Sequence, residues 1–284
     1  MKCIVKSSIR WASIPLLLLL VSTSWAQTVH ISHCQAGCPE LRGNPGAGGT
    51  EIIVRHLFAA SINDNNGIAD WVAYRVLKDT VGVASLLPRF WVEDNLLSVN
   101  SSLAEFVDSA TQLNQPDLSG RADQSYRINE IIIDAEDQGR LTPMSSFAST
   151  PYWSELNYLS NLASLPNDLR IGSWSRLNQA INELAARIGE VFVISGPLYR
   201  IQNGLQLDAS ANDSLDAPAA FFKVVATDTS HAAFIFEKDL PQHQRFCDQL
   251  SSIQLIEDES DMNLFPQLQQ YTDANLHLQL SCGN

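Results

Sequence analysis

Apolar residues recur along this chain with two periods, and the change of period divides it into elements. Trp71-Val72-Ala73-Tyr74-Arg75-Val76-Leu77 alternates bulky with small or polar side chains, which predicts a strand with two distinct faces. Ile52-Ile53-Val54 and the short apolar runs at 129–133, 191–195, 221–226 and 232–236 read as further strands. Gly196-Pro197 and the stretch 203–218 break the later ones apart. Between 171 and 188 the period lengthens. Leu177, Ile181, Leu184 and Ile188 recur at three- and four-residue steps, one face of a helix, and Gly189 supplies its stop. Residues 43–49, rich in glycine, form a flexible joint, and the polar stretch 100–128 an irregular surface insertion. The sum is an α+β domain with a mostly antiparallel central sheet and a few helices.

The first residues carry a different signal. Lys2, Lys6 and Arg10 precede an apolar run over 14–21, and Ser24-Trp25-Ala26 ends it with a small-x-small site. The run is shorter than the roughly 20 residues a membrane-spanning helix needs. Residues 1–26 therefore read as a cleaved secretory signal, with an uncleaved anchor as the alternative. Cleavage leaves 258 of the 284 residues, divided as an N-terminal loop and joint over 27–50 and a main domain over 51–284. The expected location is secreted or periplasmic, with no membrane attachment after cleavage.

Cys3 leaves with the signal, and Cys34, Cys38, Cys247 and Cys282 remain. An even count in an exported chain predicts two disulfides, and four cysteines allow three pairings. A zinc site is the rival, but the spacings lack two close Cys/His pairs. Charge narrows the function. The signal holds three of the 18 basic residues and none of the 31 acidic ones, so the mature balance is 15 against 31, or −16. Non-specific nucleic-acid binding rests on Lys and Arg neutralising phosphates. A domain this acidic repels a polyanion at long range and relies on local basic patches. The plain reading of the charge is solubility in an extracellular setting.

Asp137-Gln138-Gly139-Arg140-Leu141-Thr142-Pro143 and Tyr152-Trp153-Ser154-Glu155-Leu156-Asn157-Tyr158-Leu159-Ser160-Asn161 resemble the Serratia-type DNA/RNA non-specific endonucleases. Further landmarks are Cys34 to Pro39, Val54-Arg55-His56, Asp70 to Tyr74, Lys78-Asp79-Thr80, Ser195 to Tyr199 and Phe246-Cys247. The resemblance spans nearly the whole mature chain. It implies a ββα-metal nuclease fold, homodimerisation, and the disulfide pairs Cys34–Cys38 and Cys247–Cys282. In the family the motif reads Asp-Arg-Gly-His, the histidine is the general base, and Mg is the cofactor.

Against that pattern the functional positions of this chain are altered. The base position falls on Arg140 and the motif's arginine on Gln138. The metal-binding asparagine, two residues before Gly-x-Trp, falls on Arg170, since Gly172-Ser173-Trp174 follows. The glutamate that orders metal-bound water falls on Asn178. The family's Thr-Pro-Gln after the retained asparagine becomes Ala163-Ser164-Leu165. Asp137, Gly139 and Asn161 are kept, and Arg89 matches the arginine that clamps the phosphate. Arginine stays protonated and has no lone pair, so it serves neither as base nor as metal ligand.

These departures give the expectation of a catalytically impaired nuclease homologue with no metal cofactor. Its cleft would weakly bind nucleic acid or another phosphate-bearing ligand through Arg89, Arg140 and Arg170. The alternatives are an active Mg-dependent endonuclease using altered residues, and a protein that dimerises with an intact paralogue to modulate it. Three plainer readings stand beside these. Arg140 and Arg170 are ordinary solvated arginines. Trp71, Trp91, Trp153 and Trp174 pack the core rather than stack bases. Asp134, Glu136 and Asp137 form an acidic strand end rather than a metal cluster. None of the six histidines, His30, His33, His56, His231, His243 and His277, lies near the motif in sequence.

Overall fold

A computed structural model of the chain describes residues 30–42, 50–63, 68–89, 91–97, 139–199, 218–268 and 275–283. The signal segment, the 43–49 joint, the 100–128 insertion, the 129–133 strand and all but the last residue of the 203–218 break lie outside the described residues. So do Asp134, Glu136, Asp137 and Gln138.

Seven strands form one antiparallel sheet in which each pairs with the next. They are β2 (Thr50–Val54), β3 (Phe58–Asn63), β4 (Ala69–Leu77), β5 (Glu190–Leu198), β6 (Ala220–Ala226), β7 (His231–Glu237) and β8 (Leu250–Ser251). A small second sheet pairs β1 (Glu40–Leu41) with β9 (Met262–Asn263). This is the α+β, mostly antiparallel architecture that the alternating pattern predicts. Strand β3 was hidden from the pattern because Phe58-Ala59-Ala60-Ser61-Ile62 is almost wholly buried and does not alternate. Strand β5 runs through Gly196-Pro197, where the sequence suggests a break. Pairing with β4 ends at Ser195, one residue before Gly196, so the missing proline N–H removes no bond from that ladder. Gly196 lets the chains approach closely, since a Cβ there would lie 2.3 Å from the Asp70 carbonyl oxygen.

Both sheet faces are covered, which is why β6 is buried at all seven positions. One face carries Val72, Tyr74, Val76, Val191 and Val193, against which a helix packs Leu177, Ile181 and Leu184. Each of those three is essentially unexposed, and such burial contributes about 1.5–3 kcal/mol apiece. The opposite face carries Trp71, Ile194, Phe222 and Val224, covered by Cys34, Ile253, Ile256 and Phe265.

The helix ends where the period predicts, at Ile188, and differs from the prediction at its start. A short turn α1 (Asn167–Leu169) leads into a π-helical segment (Arg170–Trp174), and the regular helix α2 runs over Ser175–Ile188. Gly172 breaks the helical backbone, and a Cβ there would sit 2.6 Å from the Gln242 carbonyl oxygen. Ile188 continues the sequence period but is exposed. Gly189 ends the helix at φ 99°, a conformation that favours glycine. Helix α3 (Ile253–Ser260) is capped by the Ser252 side chain, which accepts from the Leu255 N–H at 3.1 Å. The last turn is α4 (Leu276–Gln279). Disulfides join Cys34 to Cys38 and Cys247 to Cys282, the pairing that the resemblance implies. Among the described residues no group of three or more His, Cys, Asp and Glu stands ready to hold a metal ion.

Strands β4 and β5 are neighbours in space, Leu77 pairing with Glu190, although residues 78–189 separate them in sequence. Every altered or retained site position named above falls within that one excursion in sequence.

Candidate functional site

The motif segment is held by lacing to the residues just before α1. Gly139 adopts φ 101°, and a Cβ there would lie 2.2 Å from the Ala163 carbonyl oxygen. Only glycine fits, which explains its retention in a motif otherwise altered. The Ala163 N–H donates to the Gly139 carbonyl at 2.8 Å, and the Leu141 N–H to the Asn161 carbonyl at 3.1 Å. Asn161 is fully buried. Its amide donates to the carbonyls of Thr142 and Leu156, both at 3.1 Å, and its Oδ1 accepts from the Thr142 N–H at 2.8 Å. With those bonds made, Asn161 braces the segment and does not line the cleft.

Arg140 is not a solvated arginine. It is 3% exposed. Nε donates to the Leu156 carbonyl at 3.1 Å, Nη2 donates to Asn157 Oδ1 at 2.7 Å, and the guanidinium lies 4.4 Å from the Trp91 ring centroid. Asn157 in turn donates to the Pro88 carbonyl at 3.3 Å, which ties the base position to the loop carrying Arg89. Arg89 is half-buried, with Nη2 3.4 Å from the Ala84 carbonyl oxygen. Arg170 opens the π-helical segment, half-buried, and donates to Asn167 Oδ1. Asn178 sits one turn into α2 and accepts a hydrogen bond from Lys223 Nζ.

These side chains line one cleft of about 660 Å³: Arg89, Arg140, Arg170 and Asn178 from the positions singled out in the sequence, with Trp174 and Asn182 beside them. The described lining holds no aspartate, glutamate or histidine. Its acceptors are amides, Ser145 and Ser175, and Asn182 Oδ1 is engaged by the Ser146 hydroxyl at 2.6 Å. Mg²⁺ seeks a near-octahedral set of hard oxygens, usually with at least one carboxylate. Three guanidiniums and an amide oxygen committed to Lys223 do not fit that ion, and no step through a metal follows from these residues.

No histidine among those described supplies the missing base in this lining. His56 is held outside it by Glu155, Nδ1 to Oε1 at 2.6 Å, and stacks on Tyr152 at 4.0 Å between centroids. His33 is buried with Nε2 2.9 Å from the Arg55 carbonyl oxygen, and burial pushes its pKa below the usual value. Trp71, Trp91 and Trp174 are each 2% exposed and Trp153 packs against the main core, so their rings are chiefly core.

One buried polar position beside the cleft escapes the sequence reading. Lys223 on β6 is wholly buried, its Nζ 3.8 Å from the Trp174 ring centroid, and burial pushes its pKa well below the usual amine value. Its sequence signal is a lone lysine inside Ala220-Phe221-Phe222-Lys223-Val224-Val225-Ala226. A single charge in a fully apolar strand needs a buried partner, and the sequence does not say which.

Set beside known proteins, the chain matches the family described as DNA/RNA non-specific endonuclease over residues 40–270. It is 29% identical over 267 residues to a Serratia marcescens protein named Nuclease, covering 91% of this chain and 90% of the relative. It is similar in fold to a chain in a crystal structure of the EndoG/EndoGI complex, described as showing the mechanism of EndoG inhibition. There the TM-score is 0.58 at 15% identity, with 82% of this chain and 93% of that chain covered.

Proposed function

The chain belongs to the DNA/RNA non-specific endonuclease family, and on that premise we propose that it is a non-catalytic member whose cleft binds a phosphate-bearing anion without a metal. Phosphodiester hydrolysis asks for a base to activate water, a divalent cation to stabilise the developing charge, and cations to hold the phosphate. The described lining of the cleft supports only the third. Its three guanidiniums hold a phosphate through charge-assisted bonds, while arginine at the base and metal positions performs neither role. The observation that carries the reading is a cleft with three arginines and no carboxylate or imidazole among its described lining, in a protein of net charge −13. Two disulfides support an oxidising, extracytoplasmic setting.

The test is a nuclease assay on the purified mature protein with Mg²⁺ and Mn²⁺. Plasmid DNA and total RNA are expected to survive at protein levels where an intact relative digests them fully. Losing a general base alone is typically worth ~10²–10⁴ in rate. Metal-dependent digestion that is abolished by Arg89→Ala overturns the reading and establishes the active alternative. A second reading, pairing with an intact family member, is favoured by the outer edge of the main sheet. There β2 leaves Ile52 and Val54 about half exposed. Co-elution with such a nuclease, and a change in its activity, is the measurement for it.

A further inference from the structure

We propose that Lys223 is a positioning residue that fixes what the cleft recognises. By donating to Asn178 Oδ1 it turns the Asn178 NH₂ group toward the cleft and makes this wall a donor to small anions. The inference rests on the anion-binding reading and adds the device that sets its selectivity.

The argument begins with hydrogen-bond valence. Lys223 Nζ lies between two neighbours, Asn178 Oδ1 and the face of Trp174 at 3.8 Å. The ring face attracts N–H groups and repels lone pairs. Nζ donates to the amide oxygen here, and an amide meets a donor only with its oxygen. The oxygen of Asn178 is thereby taken below the cleft floor. Its side chain makes no other hydrogen bond among the described residues, while Asn178 itself lines the cleft. The NH₂ end is what remains for a ligand, and an NH₂ group donates and cannot coordinate a cation.

The same geometry bears on the altered position. A carboxylate at 178 would have a buried amine within reach of one oxygen and would offer the cleft an acceptor rather than a donor. Asparagine keeps the contact with Lys223 and contributes a donor instead. Lys223 itself is wholly buried and is not among the residues that line the cleft. A loss of anion affinity on its removal is then attributable to the orientation of Asn178. A small, compact anion is the ligand class this selects. The cleft holds about 660 Å³, and the net negative charge of the protein opposes a long polyanion.

The experiment titrates inorganic phosphate into the full mature protein by calorimetry, for the wild type, Lys223→Met and Asn178→Asp. Methionine keeps an unbranched apolar stem against Trp174 but donates nothing. Aspartate keeps the shape and the Lys223 contact but turns an acceptor to the cleft, so it is informative even if Lys223→Met does not fold. Saturable phosphate binding is expected for the wild type. The loss of one hydrogen bond to a charged ligand predicts affinity weaker by about tenfold or more in each variant. A merely structural role would lower the melting temperature and leave phosphate affinity unchanged. Wild-type affinity in either folded variant overturns the inference and leaves the anion-binding reading standing. No phosphate binding by the wild type overturns both.

Discussion

Arg140 and Lys223 are both buried basic residues, and they were not equally legible. That an arginine stands at position 140 of the motif, where the resemblance would put a histidine, is readable from the sequence, because Asp137 and Gly139 keep the frame around it. That the guanidinium is internal, bonded to Leu156 and Asn157 and lying over Trp91, is not readable, because all three partners are supplied by segments brought in by folding. The sequence permitted a solvated arginine at 140, and burial rules it out. The consequence is testable. Arg140→His brings in an imidazole but leaves the buried Asn157 Oδ1 without its charged donor, while the Leu156 carbonyl loses one donor and keeps the Asn161 amide. Hydrogen bonds to charged groups are worth about 1.5–3 kcal/mol, and a stranded buried acceptor carries its own penalty. The variant is expected to lose roughly 2–4 kcal/mol of stability in urea melts. It is also expected to gain no metal-dependent nicking of plasmid DNA, because Arg170 still occupies the metal position. Full activity from that one substitution would contradict the assignment of both residues, and so would undiminished stability.

Among elements, the strands with alternating or sharply bounded apolar runs were legible and the exceptions have local causes. β3 escaped because both its faces are covered. β5 outran its predicted end because Gly196 and Pro197, breakers in isolation, lie where pairing with β4 has finished. The predicted helix lost its first turn to a π-helical segment, because Gly172 yields to the 242–244 loop. Arg176 Nη2 donates to the Gln242 carbonyl there at 2.8 Å, a contact remote in sequence. That distortion carries Arg170 and Trp174 to the cleft, so the feature that spoiled the period also builds the site. The disulfides act on elements too. Cys247–Cys282 fastens the segment after β7 to the chain end, with a sequence separation of 35, against 4 for Cys34–Cys38. Loop-closure entropy values the long link at roughly 3–4 kcal/mol and the short one at about 2. Thermal melts of the two Cys→Ala pairs are expected to show the larger loss for Cys247 and Cys282. Alanine is the replacement because Cys34 is buried and a hydroxyl there would add its own cost. Equal losses, or free thiols by mass spectrometry, would refute the ranking.

For the whole molecule the governing quantity is charge against its distribution. The net charge is −13, while three guanidiniums gather in one cleft among the described residues. Attraction to a polyanion is then local and opposed by the global field. Double-stranded DNA is expected to bind weakly at ~150 mM salt, and whatever binding exists at low salt should fall steeply as salt rises. Fluorescence anisotropy decides it, and submicromolar affinity at that salt would count against the picture. Composition alone determined the sign of this field, since net charge is a sum that no fold can change. Local pattern determined the elements whose period survives packing. Motif spacing, read through the resemblance to the family, singled out Arg140, Arg170 and Asn178 as candidate positions, because a frame of glycine, proline and tryptophan fixes the count along the chain. Only the tertiary structure decided that Arg89, Arg140 and Arg170 share a cleft, that Asn161 braces rather than binds, and that Lys223 reaches Asn178 from a strand 45 residues away. Those are distances between segments joined through the sheet, and they depend on β4 pairing with β5 across the whole excursion between them. No periodicity or spacing within a segment encodes which other segment will lie against it.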